Sequence, residues 1–157
     1  MTTIRPVTAT DSNDWRRVRQ ALWPDGTAAQ HQRDIDRYLS GDRREPAQVF
    51  LAFDANSQVV GFAELSIRNI VDSCNTHCVA YLEGWYVAAE FRRKGVGRAL
   101  IQAAEKWAIS QGCSEFGSDS EIDNHIAHAA HLRSGFEETG RVRTYRKKLA
   151  ADDQNGI

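Results

Sequence analysis

The stretch from Val79 to Ser118 restricts the fold more than any other part of the chain. An apolar run from Val79 to Val87 reads as a strand, Arg92-Arg93-Lys94-Gly95-Val96-Gly97 follows it, and a strongly amphipathic segment runs on to Gly112. In that segment Val96, Ala99, Leu100, Ala103, Ala104, Trp107 and Ala108 fall on the i, i+3, i+4, i+7 pattern of a helix with one buried face. Cys113 to Ser118 then returns as a strand. Two strands joined through a helix run parallel, and the crossover between them is right-handed. A strand that feeds a glycine-bearing turn and a helix is also a place to hold phosphate. Free N–H groups of the first helical turn and the positive end of the dipole point at the ligand, and glycine lets the backbone approach it. Three consecutive cations, Arg92, Arg93 and Lys94, add charge for a polyanion. No Gly-Lys-Ser/Thr closes the turn as in a Walker A loop, and the first glycine of the dinucleotide fingerprint is missing. A solvated basic turn before a helix is the plainer reading of the same six residues.

The flanking elements extend this unit in both directions. Ile4 to Val7 is a short apolar segment, and Asp11 caps a helix carrying Trp15, Val18 and Leu22 that Pro24 stops. A second helix is expected from Thr27 to Leu39, with Ile35 and Leu39 inward, before Gly41 breaks it. Val49 to Phe53 and Val59 to Ile67 read as strands joined across Asp54-Ala55-Asn56-Ser57. In the second of them Val59, Ala63, Leu65 and Ile67 share one face, while Glu64, Ser66 and Arg68 suggest that the other is exposed. Beyond Ser118, a helix from Ser120 to Leu132, a turn at Gly135-Phe136 into a strand, and a closing strand from Val142 to Leu149 complete the chain. Residues 1–149 are read as a single domain, with 150–157 a frayed polar tail.

With 157 residues the chain can bury one sizeable core. A net charge of −1 from 20 basic and 21 acidic residues argues against a nonspecific nucleic-acid binder, and no segment is apolar enough to span a bilayer. Function must therefore come from a site. Three cysteines, Cys74, Cys78 and Cys113, favour a reducing cytoplasm over a disulfide framework. Cys74-x-x-His77-Cys78 lacks a second ligand pair, and His125, His128 and His131 on one helix would need partners from elsewhere, so no metal is expected.

The element order β-α-α-β-β-β-α-β-α-β-β, together with Arg-x-x-Gly-x-Gly and the Gly135-Phe136 that ends the next helix, resembles the GNAT family of N-acetyltransferases. The resemblance implies an α/β (α+β) fold with a mixed sheet of six to seven strands and four flanking helices. It covers nearly the whole chain. Leu22-Trp23-Pro24, Phe62-Ala63-x-x-Ser66-Ile67-Arg68, Leu82-Glu83-Gly84, Ser118-Asp119 and Gly135-Phe136-Glu137-Glu138-Thr139 are similar to one branch, the aminoglycoside 6′-N-acetyltransferases. That branch implies acetyl-CoA as cosubstrate and direct attack of an amine in a ternary complex. Arg92, Arg93, Lys94, Gly95, Val96, Gly97 and Arg98 would hold the pyrophosphate, Asn124 the pantetheine arm, and the backbone of Trp85, Tyr86 and Val87 the pantetheine amides and the thioester carbonyl. It also implies a homodimer, with exchange of C-terminal strands as one form and Tyr145 near the interface. A monomer whose edge is protected by Arg143, Arg146, Lys147 and Lys148 is the alternative.

Acetyl transfer needs a neutral amine and a proton for the departing thiolate. Glu83 is the candidate base. Unbroken alternation would place it on one face with Val79, Tyr81 and Trp85, where apolar surroundings raise a carboxyl pKa. A carboxylate at a strand bulge beside Gly84, bonded to backbone or paired with an arginine, is the other reading of the same residue. Asp119, at the C-terminal end of a parallel strand, belongs in the same cleft, although a turn or capping aspartate has the same signature. Resemblance implies that Glu83 and Asp119 hold substrate amino groups and that Trp23 lines the sugar cleft, where packing alone would bury it. His131 stands where many family members carry a tyrosine that protonates the thiolate, so the acid is His131, water, or none. Ile70 and Val71 replace an aromatic of the branch, and Gly140 a larger side chain. Acetylation of a polyamine or amino-sugar metabolite, or acyl-CoA sensing without turnover, are the competing functions.

Overall fold

The structure, a computed structural model, describes residues 1–150. Five strands form one sheet in the order β1-β2-β3-β4-β5: β1 (Thr3–Pro6), β2 (Gln48–Phe53), β3 (Val59–Arg68), β4 (Val79–Val87) and β5 (Glu115–Ser118). The first four pair antiparallel; β5 lies parallel to β4. Helices α1 (Ser12–Leu22) and α2 (Ala28–Leu39) precede β2, α3 (Val96–Ser110) crosses from β4 to β5, and α4 (His125–Arg133) follows.

Alternation along β3 explains the layers. Phe62 points to one face and joins Trp15, Val18, Ile35 and Tyr38 of α1 and α2. Ala63 and Leu65 point to the other and join Leu100, Ile101 and Ala104 of α3. Both faces of the sheet are covered, so β3 is buried from Val59 through Ser66. The expected half-exposed strand is therefore corrected: Glu64 and Ser66 are 2% and 3% exposed, because α1 and α2 roof the face on which they lie.

Local chemistry sets the ends of most elements. Thr27 caps α2, its hydroxyl accepting from the Gln30 N–H while Gln30 returns a bond to the Thr27 N–H. Asp54 closes the β2–β3 hairpin, accepting from the Asn56 and Gln58 N–H groups. Asp11 precedes α1 without capping it. It accepts two hydrogen bonds from Arg5, at 2.8 and 3.0 Å, and one from the Thr8 N–H, which hold its carboxyl down at about 2.

The C-terminal third departs most from expectation. Helix α4 begins at His125, five residues later than the sequence suggests, because 119–124 are irregular and end in a turn where the Asn124 N–H donates to the Glu121 carbonyl. The turn into strand at Phe136 and the closing strand are absent: 135–150 contain no helix or strand, and Val142, Tyr145 and Leu149 are more than three-quarters exposed. Strands exist only by pairing, and within one chain this segment meets no sheet edge. The sheet thus has five strands rather than six or seven. Of the tail expected at 150–157, all but Ala150 lies outside the described residues.

Candidate functional site

The parallel pairing of β4 with β5 runs from Val79↔Glu115 to Leu82↔Ser118 and stops, although β4 continues to Val87. Five residues of β4 therefore have a strand neighbour on the β3 side alone, and a wedge opens between them and α4. Two clusters of candidate residues face this wedge from opposite sides of the sheet.

A bulge decides which residue goes where. Register along β3–β4 passes from Leu65↔Leu82 to Glu64↔Gly84, leaving Glu83 without an opposite number. Glu83 stays on the face of Tyr81, but the extra residue turns Trp85 to the α3 face, so the expected row of Val79, Tyr81, Glu83 and Trp85 is broken. The surroundings of Glu83 are also not apolar. Arg68 binds it bidentately, Nε to Oε1 at 3.0 Å and Nη2 to Oε2 at 2.8 Å, and the Ser66 hydroxyl donates to Oε1. The bulge with an arginine partner is what the structure contains. Arg68 also stacks 3.6 Å from the centre of the Tyr81 ring, and the Tyr81 hydroxyl donates to Asp119. Burial, then the bond to Asp119, push the Tyr81 phenol far above its ordinary value, so it remains a donor. Glu83 and Asp119 are thus linked in one chain: Glu83–Arg68–Tyr81–Asp119.

On the α1 side lies a cavity of about 470 Å³ lined by Arg19, Trp23, Asp34, Glu64 and Glu83, with Arg37, Asp42, Arg44, Glu45 and Pro46 around it. Trp23 lines this cavity and also packs edge-on to Phe62 at 5.9 Å. Its ring fills the space a side chain at Gly84 would need: a Cβ there would lie 2.5 Å from Trp23 Cη2. Sequence reasoning missed Glu64 and Arg19, which form a buried ion pair at 3.0 Å in the cavity wall. Their signal was an arginine inside an apolar helical stripe, Trp15-x-x-x-Arg19-x-x-x-Trp23.

The opposite face of the wedge carries the other candidates. Gly95, at φ 83°, is the N-cap of α3, makes no side-chain cap bond, and has open space around it. The first N–H groups of α3 are consequently available to an anion, with Arg93, Lys94 and Arg98 exposed nearby. Val96 is buried and anchors the helix. Arg92 differs from expectation: its Nε–H donates to the Val87 carbonyl at 2.8 Å, tying the loop to β4. Gly97 serves packing, since a Cβ there would approach the Trp85 ring to 3.2 Å. Asn124 is the N-cap of α4, its side chain accepting from the Ala127 N–H at 3.0 Å.

His131 packs edge-on against Trp85 at 5.3 Å. Its Nδ1 is 2.6 Å from the Ala127 carbonyl, which only accepts, so Nδ1 carries the hydrogen; in the neutral ring Nε2 then accepts from the Ser118 hydroxyl at 2.7 Å. His125 and His128 are exposed, and among the described residues no cluster of three His, Cys, Asp or Glu could hold a metal. Nor is any described helix long and apolar enough to cross a membrane. Cys78 and Cys113 are free thiols 3.0 Å apart at the start of β4 and β5, the end of the strands away from this site.

A wedge beside a central strand, with an uncapped glycine turn on one side and carboxylates on the other, fits a two-substrate group-transfer site. The chain belongs to the Acetyltransferase (GNAT) family, whose model matches residues 15–136. It is 49% identical over 146 residues to an aminoglycoside N(6′)-acetyltransferase type 1 of Klebsiella aerogenes, covering 93% of this chain and 96% of that protein. It is 40% identical to a protein of the same description from Stenotrophomonas maltophilia, covering 94% of each. Among solved structures, AAC(6′)-Iy in complex with the bisubstrate analogue CoA-S-monomethyl-acetylneamine superposes with a TM-score of 0.87 at 37% identity, over 95% of this chain and 99% of that one.

Proposed function

We propose that the chain is an acetyl-CoA-dependent aminoglycoside 6′-N-acetyltransferase, working in the cytoplasm by direct attack of the amine in a ternary complex. The observation that carries this reading is the placement of two carboxylates, Glu83 and Asp119, beside the wedge whose other side is the uncapped turn of α3. The full-length likeness to N(6′)-acetyltransferases supports the acceptor and its position. Acetyl-CoA supplies the acyl group as a thioester.

The chain's own residues divide the remaining work. The α3 N-terminus, with Arg93, Lys94 and Arg98, holds the pyrophosphate; Arg92, Gly95, Val96 and Gly97 shape that turn, and the free edge of Trp85–Val87 together with Asn124 flanks the pantetheine arm. Trp23 walls the sugar cleft. Glu83 and Asp119 hold the acceptor amine, and Glu83 receives through water the proton the nitrogen loses on attack. His131, in its doubly protonated form, supplies a proton through the Ser118 hydroxyl to the leaving thiolate. The cavity lining carries five carboxylates, Asp34, Asp42, Glu45, Glu64 and Glu83, against three guanidiniums, Arg19, Arg37 and Arg44, and this excess of negative charge draws ammonium groups of the acceptor.

Incubation with acetyl-CoA and a panel of aminoglycosides, polyamines and amino sugars tests this, with free thiol detected and the acetylated nitrogen located by NMR. Release of thiol at the 6′-amine is expected; cofactor binding without release would make the chain a sensor. The cofactor half has its own test. Gly95→Val forces a β-branched residue into φ 83° at the turn, and should abolish the thermal stabilisation that acetyl-CoA gives the wild type. An undiminished shift would place the cofactor elsewhere.

A homodimer is also proposed. Ile122, Ile126 and Leu132 leave apolar surface exposed on and beside α4, next to the unpaired segment that carries Val142, Tyr145 and Leu149. Strand exchange between two copies would give that segment the edge it lacks. Light scattering should report twice the 17.6 kDa of one chain at micromolar concentration, and a monomer mass throughout would refute it.

A further inference from the structure

Glu64 faces the acceptor cavity from the middle of β3, and its two oxygens are treated differently. Oε1 accepts from Trp15 Nε1–H at 2.9 Å and lies 3.0 Å from Arg19 Nε, an ion pair without hydrogen-bond alignment. Oε2 makes no hydrogen bond among the described residues, and it is not one of the buried partnerless polar atoms, which are Arg19 Nε, Arg19 Nη1 and Trp85 Nε1. A carboxylate 2% exposed thus keeps one free oxygen at the wall of the cavity that Glu83 also lines. Glu83, by contrast, has both oxygens engaged by Arg68.

We propose that Glu64 is a second proton-accepting carboxylate of the acceptor cavity, its free Oε2 taking the proton that the substrate ammonium must lose before attack. The inference rests on the reading of this cavity as the acceptor site. An acceptor amine arrives as R–NH₃⁺; one proton passes to Glu64, giving R–NH₂ and a neutral carboxylic acid. Attack then forms the N–C bond, the nitrogen's second proton goes by way of Glu83, and the C–S bond breaks as the thiolate sulfur takes a proton from His131 through the Ser118 hydroxyl. Glu64 and Glu83 return their protons to solvent when product leaves and His131 regains one, so one net proton is released per turnover.

The surroundings favour this division. Glu64 is faced by Trp15 and Arg19 from α1, Asp34 and Tyr38 from α2, and Glu83 from β4. Burial is the largest influence and raises its carboxyl; Arg19 and the Trp15 bond oppose it, Asp34 and Glu83 add to it, and the balance is about 7. A carboxyl in that range exchanges protons near neutrality.

The test is the pH dependence of kcat/KM for acetyl transfer to neamine. Wild type should lose activity about tenfold per unit below pH 7. Glu64→Gln keeps an oxygen for Trp15 but cannot ionise; it should lower the plateau about tenfold to a hundredfold and abolish the acidic limb. Glu64→Asp, which restores an ionisable group, should recover part of the plateau and keep a limb. The acetyl-CoA thermal shift, read on each variant, reports folding and cofactor binding independently. A limb that survives in Glu64→Gln, or that vanishes in Glu83→Gln instead, overturns the proposal and leaves the acceptor reading intact. No transfer to any 6′-amine by wild type would overturn that reading, and this one with it. If Glu64→Gln alone fails to fold, a limb in Glu64→Asp unmoved from wild type counts against Glu64.

Discussion

Glu83→Gln should lower kcat for 6′-amine acetylation by about a hundredfold, while KM for the acceptor rises severalfold. Glutamine keeps the shape and one oxygen to accept from Ser66 and Arg68 Nε, but its amide nitrogen cannot accept from Arg68 Nη2, and it removes the negative charge that a guanidinium at 2.8 Å neutralises. The loss should therefore be chemical, with fold and acetyl-CoA binding retained. Arg68→Met should reach a similar kcat by another route, since it frees Glu83 from its bidentate clamp and uncouples Tyr81 and Asp119 from it. Steady-state kinetics of both variants, with the acetyl-CoA thermal shift as control, check this. Wild-type turnover by Glu83→Gln would remove Glu83 from the reaction.

The parts of this site legible in the sequence are those fixed by local rules. A glycine at the head of an amphipathic helix has few structural meanings, so the Gly95 turn and α3 follow from spacing. Thr27 and Asp54 act through bonds to residues two to four positions away and are equally readable. Glu64 and Ser66 were not, because alternation separates polar from apolar and is silent on whether the polar face meets water or a roofed cavity. Only α1 and α2, folded over β3, make that difference. The bulge at Glu83 was readable from Gly84 only as one of two alternatives, because a single strand's pattern carries no register and pairing with β3 decides between them. The closing strand fails for the same reason in reverse: Val142 to Leu149 has the composition of a strand, but pairing requires an edge, and composition does not supply one.

The Glu83-Gly84 bulge also explains why residue 84 has no side chain, and Gly84→Val makes that testable. A Cβ at this position would stand 2.5 and 2.7 Å from the Trp23 ring. The ring cannot retreat freely, being packed on Phe62 at 5.9 Å with Arg19 5.0 Å from its centre on another side. Overpacking of this kind costs about 1–3 kcal/mol, which for a chain of this size is a fall in Tm of roughly 2–12 °C. Moving Trp23 also deforms the cavity wall, so acceptor KM should rise about tenfold while the acetyl-CoA shift is unchanged. If the clash is the cause, Trp23→Leu should be less harmful in the Gly84→Val background than alone, with a coupling of about 1 kcal/mol or more between the two sites. Strict additivity in that double-mutant cycle, by thermal melts and by KM, would mean that the glycine is required by the bulge's backbone and not by the tryptophan. Trp23 would then be free to move, and its place in the acceptor wall would rest on the ring contacts with Phe62 and Arg19 alone.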